Sequence, residues 1–169
     1  MRFSTFLALV ACLSCTTGVF AQLADLDPDW KERDAKPPAT FRTDKLVPVD
    51  MPRYVSVQVG IDPDSMTVGE DGIVRYVVVA VSRSGNINAA FEGIWCRTGQ
   101  VKVYARAGND KVWDDETAPQ WTALSGNQRS KHGLALARQG VCEGRSAAAH
   151  SAQAIIGKLR QSTSAGVQR

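Results

Sequence analysis

Polar and apolar positions divide the chain into an apolar start, a polar stretch, a series of period-two segments and a short helical end. Residues 3–13 are mostly apolar behind Arg2, and Ser14, Thr16, Thr17 and Gly18 interrupt the run. This layout is that of a signal peptide and predicts cleavage after Ala21, leaving Gln22 as the new N-terminus. From Gln22 to Asp50 the chain is polar, with Asp25, Asp27 and Asp29 around Trp30, then Lys31 to Asp34, then Lys36, Pro37 and Pro38. It reads as an extended lead-in that Trp30 and Phe41 pin onto an apolar surface.

After Pro52 the period changes. Val55, Val57, Val59 and Ile61 alternate with Tyr54, Ser56, Gln58 and Gly60, the pattern of a half-buried strand. Asp62, Pro63 and Asp64 predict a turn, followed by a short second strand through Met66 and Val68 that ends in the turn 69–72. Residues 73–81 are nearly all apolar, so they predict a central strand covered on both faces. Residues 82–86 include Gly85 and Asn86, which suit a hairpin, and 87–96 return as a strand. Beyond Arg97, Thr98 and Gly99, the residues Val101, Val103 and Ala105 alternate with Lys102, Tyr104 and Arg106. A polar connection through Trp113, Asp114, Asp115 and Glu116 leads to Trp121.

Ser130 then reads as the cap of a helix carrying Leu134, Leu136 and Ala137, which Gly140 stops. Ala152, Ile155, Ile156 and Leu159 recur at helical spacing and predict a last helix. Strands followed by helices predict an α+β domain: an antiparallel sheet of about five strands with two C-terminal helices on one face or end. The expected boundaries are a signal peptide over 1–21, the lead-in over 22–50, one domain over 51–160 and a flexible tail over 161–169.

Composition narrows the function classes. A chain of 169 residues with 44% hydrophobic and 22% charged residues can bury one ordinary core. A formal net charge of +3 is far from the basic surplus of a nucleic-acid binder. No later segment approaches the length of a membrane span. Membrane attachment would arise only if Leu9 to Cys12 acted as a lipid-attachment box, with Cys12 acylated; cleavage there would leave a short signal, so the cut near Ala21 is preferred. The expected location is therefore periplasmic or secreted. Cys96 and Cys142 then remain in the mature chain, and in an oxidising compartment the default for such a pair is one disulfide. With only two histidines and no Cys-x-x-Cys spacing, a redox or metal pair is disfavoured.

The stretch VDMPRYVSVQVGIDPDSMTVGEDGIVRYVVVA, the hairpin into AAFEGIWC, the KVYAR strand, the PQW element and HGLALARQGVCEGR resemble, in that order, the uncharacterised family named after a cryptic neisserial protein. DPDWKE and the prolines at 37 and 38 fit the same pattern. The resemblance implies a small exported bacterial protein with no assigned activity, no established cofactor and no catalytic residue to carry over. The hairpin VRYVVVAVSRSGNINAAFEG is also similar to the C-terminal domains of energy-transducing envelope proteins, which implies pairing of edge strands with a partner.

Candidate chemistry is sparse. There is no Gly-x-Ser-x-Gly elbow, phosphate loop or dinucleotide fingerprint. His132 reads as a solvated or capping residue with catalysis as its minority role, and Glu92 is the carboxylate that an enzyme would use. Asp114, Asp115 and Glu116 lack calcium-loop spacing and read as an acidic loop. The richer constellation is aromatic and cationic: Arg75, Tyr76, Trp95, Arg97, Lys102, Tyr104, Arg106, Trp113 and Trp121. If the polar sides of the strands face one way, these residues form a basic surface for an anionic envelope ligand or an envelope protein. The plainer account, preferred on sequence alone, makes the tryptophans core and the cations a solvated sheet face. The function expected is thus a non-enzymatic binding or accessory module of the cell envelope, acting through that face or the loop from Trp113 to Trp121. The alternative is a small hydrolase acting on cell-envelope polymers.

Overall fold

The computed structural model describes residues 28–128 and 130–166. The signal peptide, the cut after Ala21 and the Cys12 alternative lie outside the described residues. Contacts divide the chain into Met1–Trp30 and Lys31–Arg169. Trp30 falls in the first unit, and the sheet and helices belong to the second.

The sheet is an antiparallel meander of β1 (Val47–Pro48), β2 (Gln58–Val68), β3 (Ile73–Val81), β4 (Ile87–Trp95), β5 (Gln100–Ala107) and β6 (Trp113–Asp115), hydrogen-bonded in that order. The short β7 (Thr122–Ala123) also pairs with β5. Helix α1 (His132–Leu136) runs into a π-helical turn over Ala137–Val141. A small ribbon of β8 (Cys142–Glu143) and β9 (Ser146–Ala147) follows, and α2 (Ala152–Gly166) ends the described chain. The class is α+β, with the helices after the sheet in sequence.

The apolar run of β3 is buried because both sheet faces are covered. On one face Val74, Tyr76 and Val78 meet Leu136, Val141, Ile155 and Leu159 from the helical end. On the other, Val77, Val79, Phe91 and Ala105 meet Phe41, with Ala35 and Leu46 packed alongside. The polar lead-in therefore supplies the second cover, and its Val47 and Pro48 pair with Ile61 and Gly60 as an edge strand. A sheet hydrophobic on both sides needs two layers, and the chain has helices enough for one.

Four local expectations change. The alternation from Tyr54 to Val57 forms no strand: β2 begins at Gln58, and Tyr54 and Val57 are exposed. Asp62, Pro63 and Asp64 make no turn: β2 runs through them, and its register with β3 slips between Asp62 and Thr67. The Asp62 carboxylate accepts the N–H groups of Arg42 at 3.0 Å and Asp64 at 3.1 Å, and the Ser65 hydroxyl accepts the Val77 N–H at 2.8 Å. Side chains thus satisfy the backbone where proline interrupts the ladder. Ser130 does not cap α1, whose N-cap is Lys131 without a side-chain bond; the Ser130 hydroxyl bonds the His132 imidazole instead. Finally, α2 continues past Gln161, with the hydroxyls of Ser162, Thr163 and Ser164 bonded to carbonyls one turn back.

A disulfide joins Cys96, just past β4, to Cys142 in β8, 46 positions on, with Cα atoms 5.6 Å apart. Closing a loop of that length is worth on the order of 4 kcal/mol through restriction of the unfolded chain. Among the described residues no helix is long and apolar enough to cross a membrane.

Candidate functional site

The strands β3, β4 and β5 carry Arg75, Tyr76, Trp95, Lys102, Tyr104 and Arg106, but not on one face. Strict alternation would align Lys102, Tyr104 and Arg106. The β4–β5 register, however, passes from Phe91↔Ala105 to Glu92↔Val103, which makes Tyr104 the extra residue of a bulge. Side chains beyond a bulge change sides. Lys102 and Tyr104 accordingly face the lead-in, whereas Arg106, opposite Ala90, faces the helical side together with Val101 and Val103. Tyr76 and Arg75 are neighbours in β3 and also part ways. Arg97 sits in the turn after β4, where its carbonyl accepts a bond from Arg145 Nε at 3.1 Å.

The lead-in face brings Arg75, Trp95, Lys102, Tyr104 and Trp121 together. Trp95 and Trp121 pack with ring centres 5.7 Å apart, and the Lys102 ammonium lies 5.4 Å from the Tyr104 ring centre and 5.5 Å from that of Trp121. Gly93 makes room for this: a Cβ there would stand 2.8 Å from both the Tyr104 hydroxyl and Ile73 Cγ2. The charge of the face is met from within the chain. Lys102 Nζ at 2.8 Å, Tyr104 Oη at 2.8 Å and Trp121 Nε1 at 3.1 Å all donate to the Glu32 carboxylate. Arg75 is clamped by Asp71 at 2.6 and 3.1 Å and by the Arg33 carbonyl at 3.0 Å. Trp113 donates to the Pro38 carbonyl at 2.8 Å and packs on Phe41.

These contacts set the electrostatics. Burial alone would push the Glu32 carboxyl up, but the bonds from Lys102, Tyr104 and Trp121 outweigh it and hold the group below its ordinary 4.5. Asp71 follows the same pattern: burial opposes, and Arg75 with two backbone N–H groups prevails. Burial first, and then the bond to Glu32, drives the Tyr104 phenol far above its usual range.

The helical face holds a different cluster, in which Glu92 stands opposite Tyr76 on the neighbouring strand. The Tyr76 hydroxyl donates to Glu92 Oε2 at 3.2 Å, and His132 Nε2 meets the same oxygen at 2.7 Å. The Tyr76 phenol is held well above its usual range, first by complete burial and then by the Glu92 charge. On the other side of the imidazole, Nδ1 bonds the Ser130 hydroxyl. Exposure grades outward along this chain: the Glu92 side chain is 4% exposed, that of His132 15%, and Ser130 is exposed.

Two cavities, of about 450 and 300 Å³, flank the cluster and share Glu92, Val103, Arg106, Ser130 and His132. The connection between Trp113 and Trp121 walls the larger one with Glu116, Ala118, Pro119 and Gln120. Arg106 Nε donates to Glu116 at 2.6 Å across that mouth. Among the described residues no group of three or more His, Cys, Asp or Glu side chains is arranged to hold a metal ion.

Sequence reasoning singled out Glu92 and His132 separately; the fold joins them across 40 positions. It missed Glu32 and Asp71 as partners of the cations, and it read Ser130 as a cap. The only signal for Ser130 was its position two residues before His132. The hairpin of β3 and β4 lies inside the sheet with both strands paired on both sides, so its strands offer no edge to a partner. No similar curated protein and no similar solved structure was found. A family model does match, over residues 25–160, and it spans the motifs from DPDWKE to HGLALARQGVCEGR: the chain belongs to the CNP1-like family.

Proposed function

We propose that this protein is an exported accessory module of the bacterial cell envelope, periplasmic or secreted, that binds a small anionic ligand derived from the envelope. Its site is the cleft between the Trp113–Trp121 connection and the start of α1. The observation that carries this reading is the cavity of about 450 Å³ in which Arg106 and His132 stand on an apolar floor of Val101 and Val103. A concave site with a few convergent polar groups over an apolar floor is the usual form of a small-ligand pocket. The basic-aromatic face is the weaker candidate: Arg75 and Lys102 are buried in their pairs with Asp71 and Glu32, whereas Arg106, though paired with Glu116 across the mouth of the cleft, is 61% exposed and can turn to an external anion. The Cys96–Cys142 disulfide suits an oxidising compartment.

The test is a nuclear magnetic resonance titration of the isotope-labelled protein with acidic saccharide and peptide fragments of envelope polymers. Shifts confined to Val101, Val103, Gly133 and the 116–120 stretch, weakened at least tenfold in Arg106→Ala, are expected. Shifts confined to the Lys102–Trp121 face, or none at all, would overturn the assignment. The reading as a hydrolase of envelope polymers draws on one specific observation, the Glu92–His132 contact at the floor of the same cleft.

A further inference from the structure

We propose that Ser130, His132 and Glu92 form a nucleophilic relay that hydrolyses short-chain acyl esters, with Ser130 and His132 as catalytic residues and Glu92 as the positioning residue. The inference rests on the cleft being the ligand site and assigns it a chemistry.

The geometry has three parts. First, a hydroxyl, an imidazole and a carboxylate stand in series, with Ser130 Oγ on Nδ1 and Glu92 Oε2 on Nε2 at 2.7 Å. With Nε2–H donating to the Glu92 carboxylate, Nδ1 is the nitrogen that accepts the Ser130 O–H. The ring nitrogens exchange the places they hold in most serine hydrolases, while the logic of acid, base and nucleophile is kept. Second, the series runs from a buried carboxylate to an exposed hydroxyl, so the base is held rigidly and the nucleophile opens onto the cavity. Tyr76, fully buried, fixes the carboxylate from behind. Third, Ser130 forgoes the capping bond that its position before α1 invites. Departures from local propensity of this kind gather at functional sites.

The chemistry balances without a further reagent. Ser130 Oγ bonds to the ester carbonyl carbon as its proton passes to His132 Nδ1, and the carbonyl electron pair moves onto oxygen. When that pair returns, the ester C–O bond breaks and the departing alkoxide takes the proton from Nδ1. Water then attacks the acyl-Ser130 intermediate by the same route, releasing the carboxylic acid and restoring the hydroxyl. Glu92 holds the imidazole and stabilises its charged form. Arg106 brings positive charge to the same cavity, where Val101 and Val103 offer an apolar contact to a short acyl group.

The experiment combines fluorophosphonate labelling with p-nitrophenyl acetate hydrolysis on the purified protein. A stoichiometric adduct on the peptide containing Ser130 is expected, absent in Ser130→Ala. Ester turnover should fall about 10²- to 10⁴-fold in His132→Gln. Glu92→Gln should lower kcat while KM is kept and should alter the pH profile, which a merely structural role would not do. Because Ser130 is exposed, Ser130→Ala keeps the fold and serves as the reference if Glu92→Gln is unstable. A natively folded protein that shows cleft shifts in the titration above, yet neither labels at Ser130 nor hydrolyses the ester beyond Ser130→Ala, would overturn the relay and leave the binding site standing. Absence of cleft shifts together with absence of labelling would overturn both.

Discussion

The Lys102 ammonium lies 2.8 Å from the Glu32 carboxylate, 70 positions earlier in the chain, so the cationic patch on this sheet face is neutralised by its own lead-in. Three donors converge on that one carboxylate, and both charged side chains are largely buried, at 15% and 20% exposure. The lead-in is therefore held by electrostatics as well as by Phe41, and four predictions follow the consequences of this and related contacts.

Replacing Glu32 with Gln should cost about 1–3 kcal/mol at neutral pH, the usual range for losing hydrogen bonds to a charged group. The folded-state value of Glu32 lies below its ordinary 4.5, so its contribution is fully present above that value and is lost as pH falls towards the folded one. Urea unfolding of the two proteins should show a constant gap above about pH 5.5 that narrows below about pH 4.5. A gap independent of pH would remove the carboxylate from the account.

Arg75 and Arg106 looked alike as strand cations, but substitution should separate them. The Arg75 side chain is 7% exposed and that of its partner Asp71 1%, so Asp71→Asn strands a buried guanidinium and should destabilise by about 3–5 kcal/mol. Arg106 is 61% exposed in its pair with Glu116, and Arg106→Ala should change stability by no more than about 0.5 kcal/mol. Thermal melts of both variants check the contrast.

Gly93→Ala places a methyl group against the Tyr104 hydroxyl and Ile73 Cγ2, each 2.8 Å away. Overpacking of that kind costs about 1–3 kcal/mol. The variant should melt lower than the native protein, and the fluorescence of Trp121, which stands beside the same Lys102, should change as Tyr104 is pushed off its bond to Glu32.

Reduction of the Cys96–Cys142 bond should lower the unfolding free energy by up to about 4 kcal/mol. Mass analysis of alkylated protein should find Cys96 and Cys142 unmodified before reduction and both alkylated after it. Alkylation of both Cys96 and Cys142 in the untreated protein would remove the staple.

Much of this architecture was legible along the chain, and for identifiable reasons. The central position of β3 follows from an apolar run that needs cover on both faces, and the hairpin at Gly85, where φ is 82°, follows from local turn chemistry. The disulfide follows from there being two cysteines left to pair in the expected mature chain, and the order of strands before helices follows from the change of hydrophobic period. Membership of the CNP1-like family follows from motifs in sequence order. These properties are local or countable, so the sequence alone determined them.

Which face each side chain joins was a tertiary decision. One extra residue at Tyr104 in the β4–β5 ladder moved Arg106 away from Lys102 and divided a single basic surface in two, and periodicity cannot register an insertion set by the partner strand. In the same way, Asp62 and Asp64 carry turn chemistry that a long strand absorbed once the side chains of Asp62 and Ser65 satisfied the backbone around them. The meeting of Glu92 with His132, and of Glu32 with Lys102, depends on which distant segments the packed sheet brings together. Carboxylates find cations and imidazoles through space, and at separations of 40 and 70 residues only the folded chain determines the pairing.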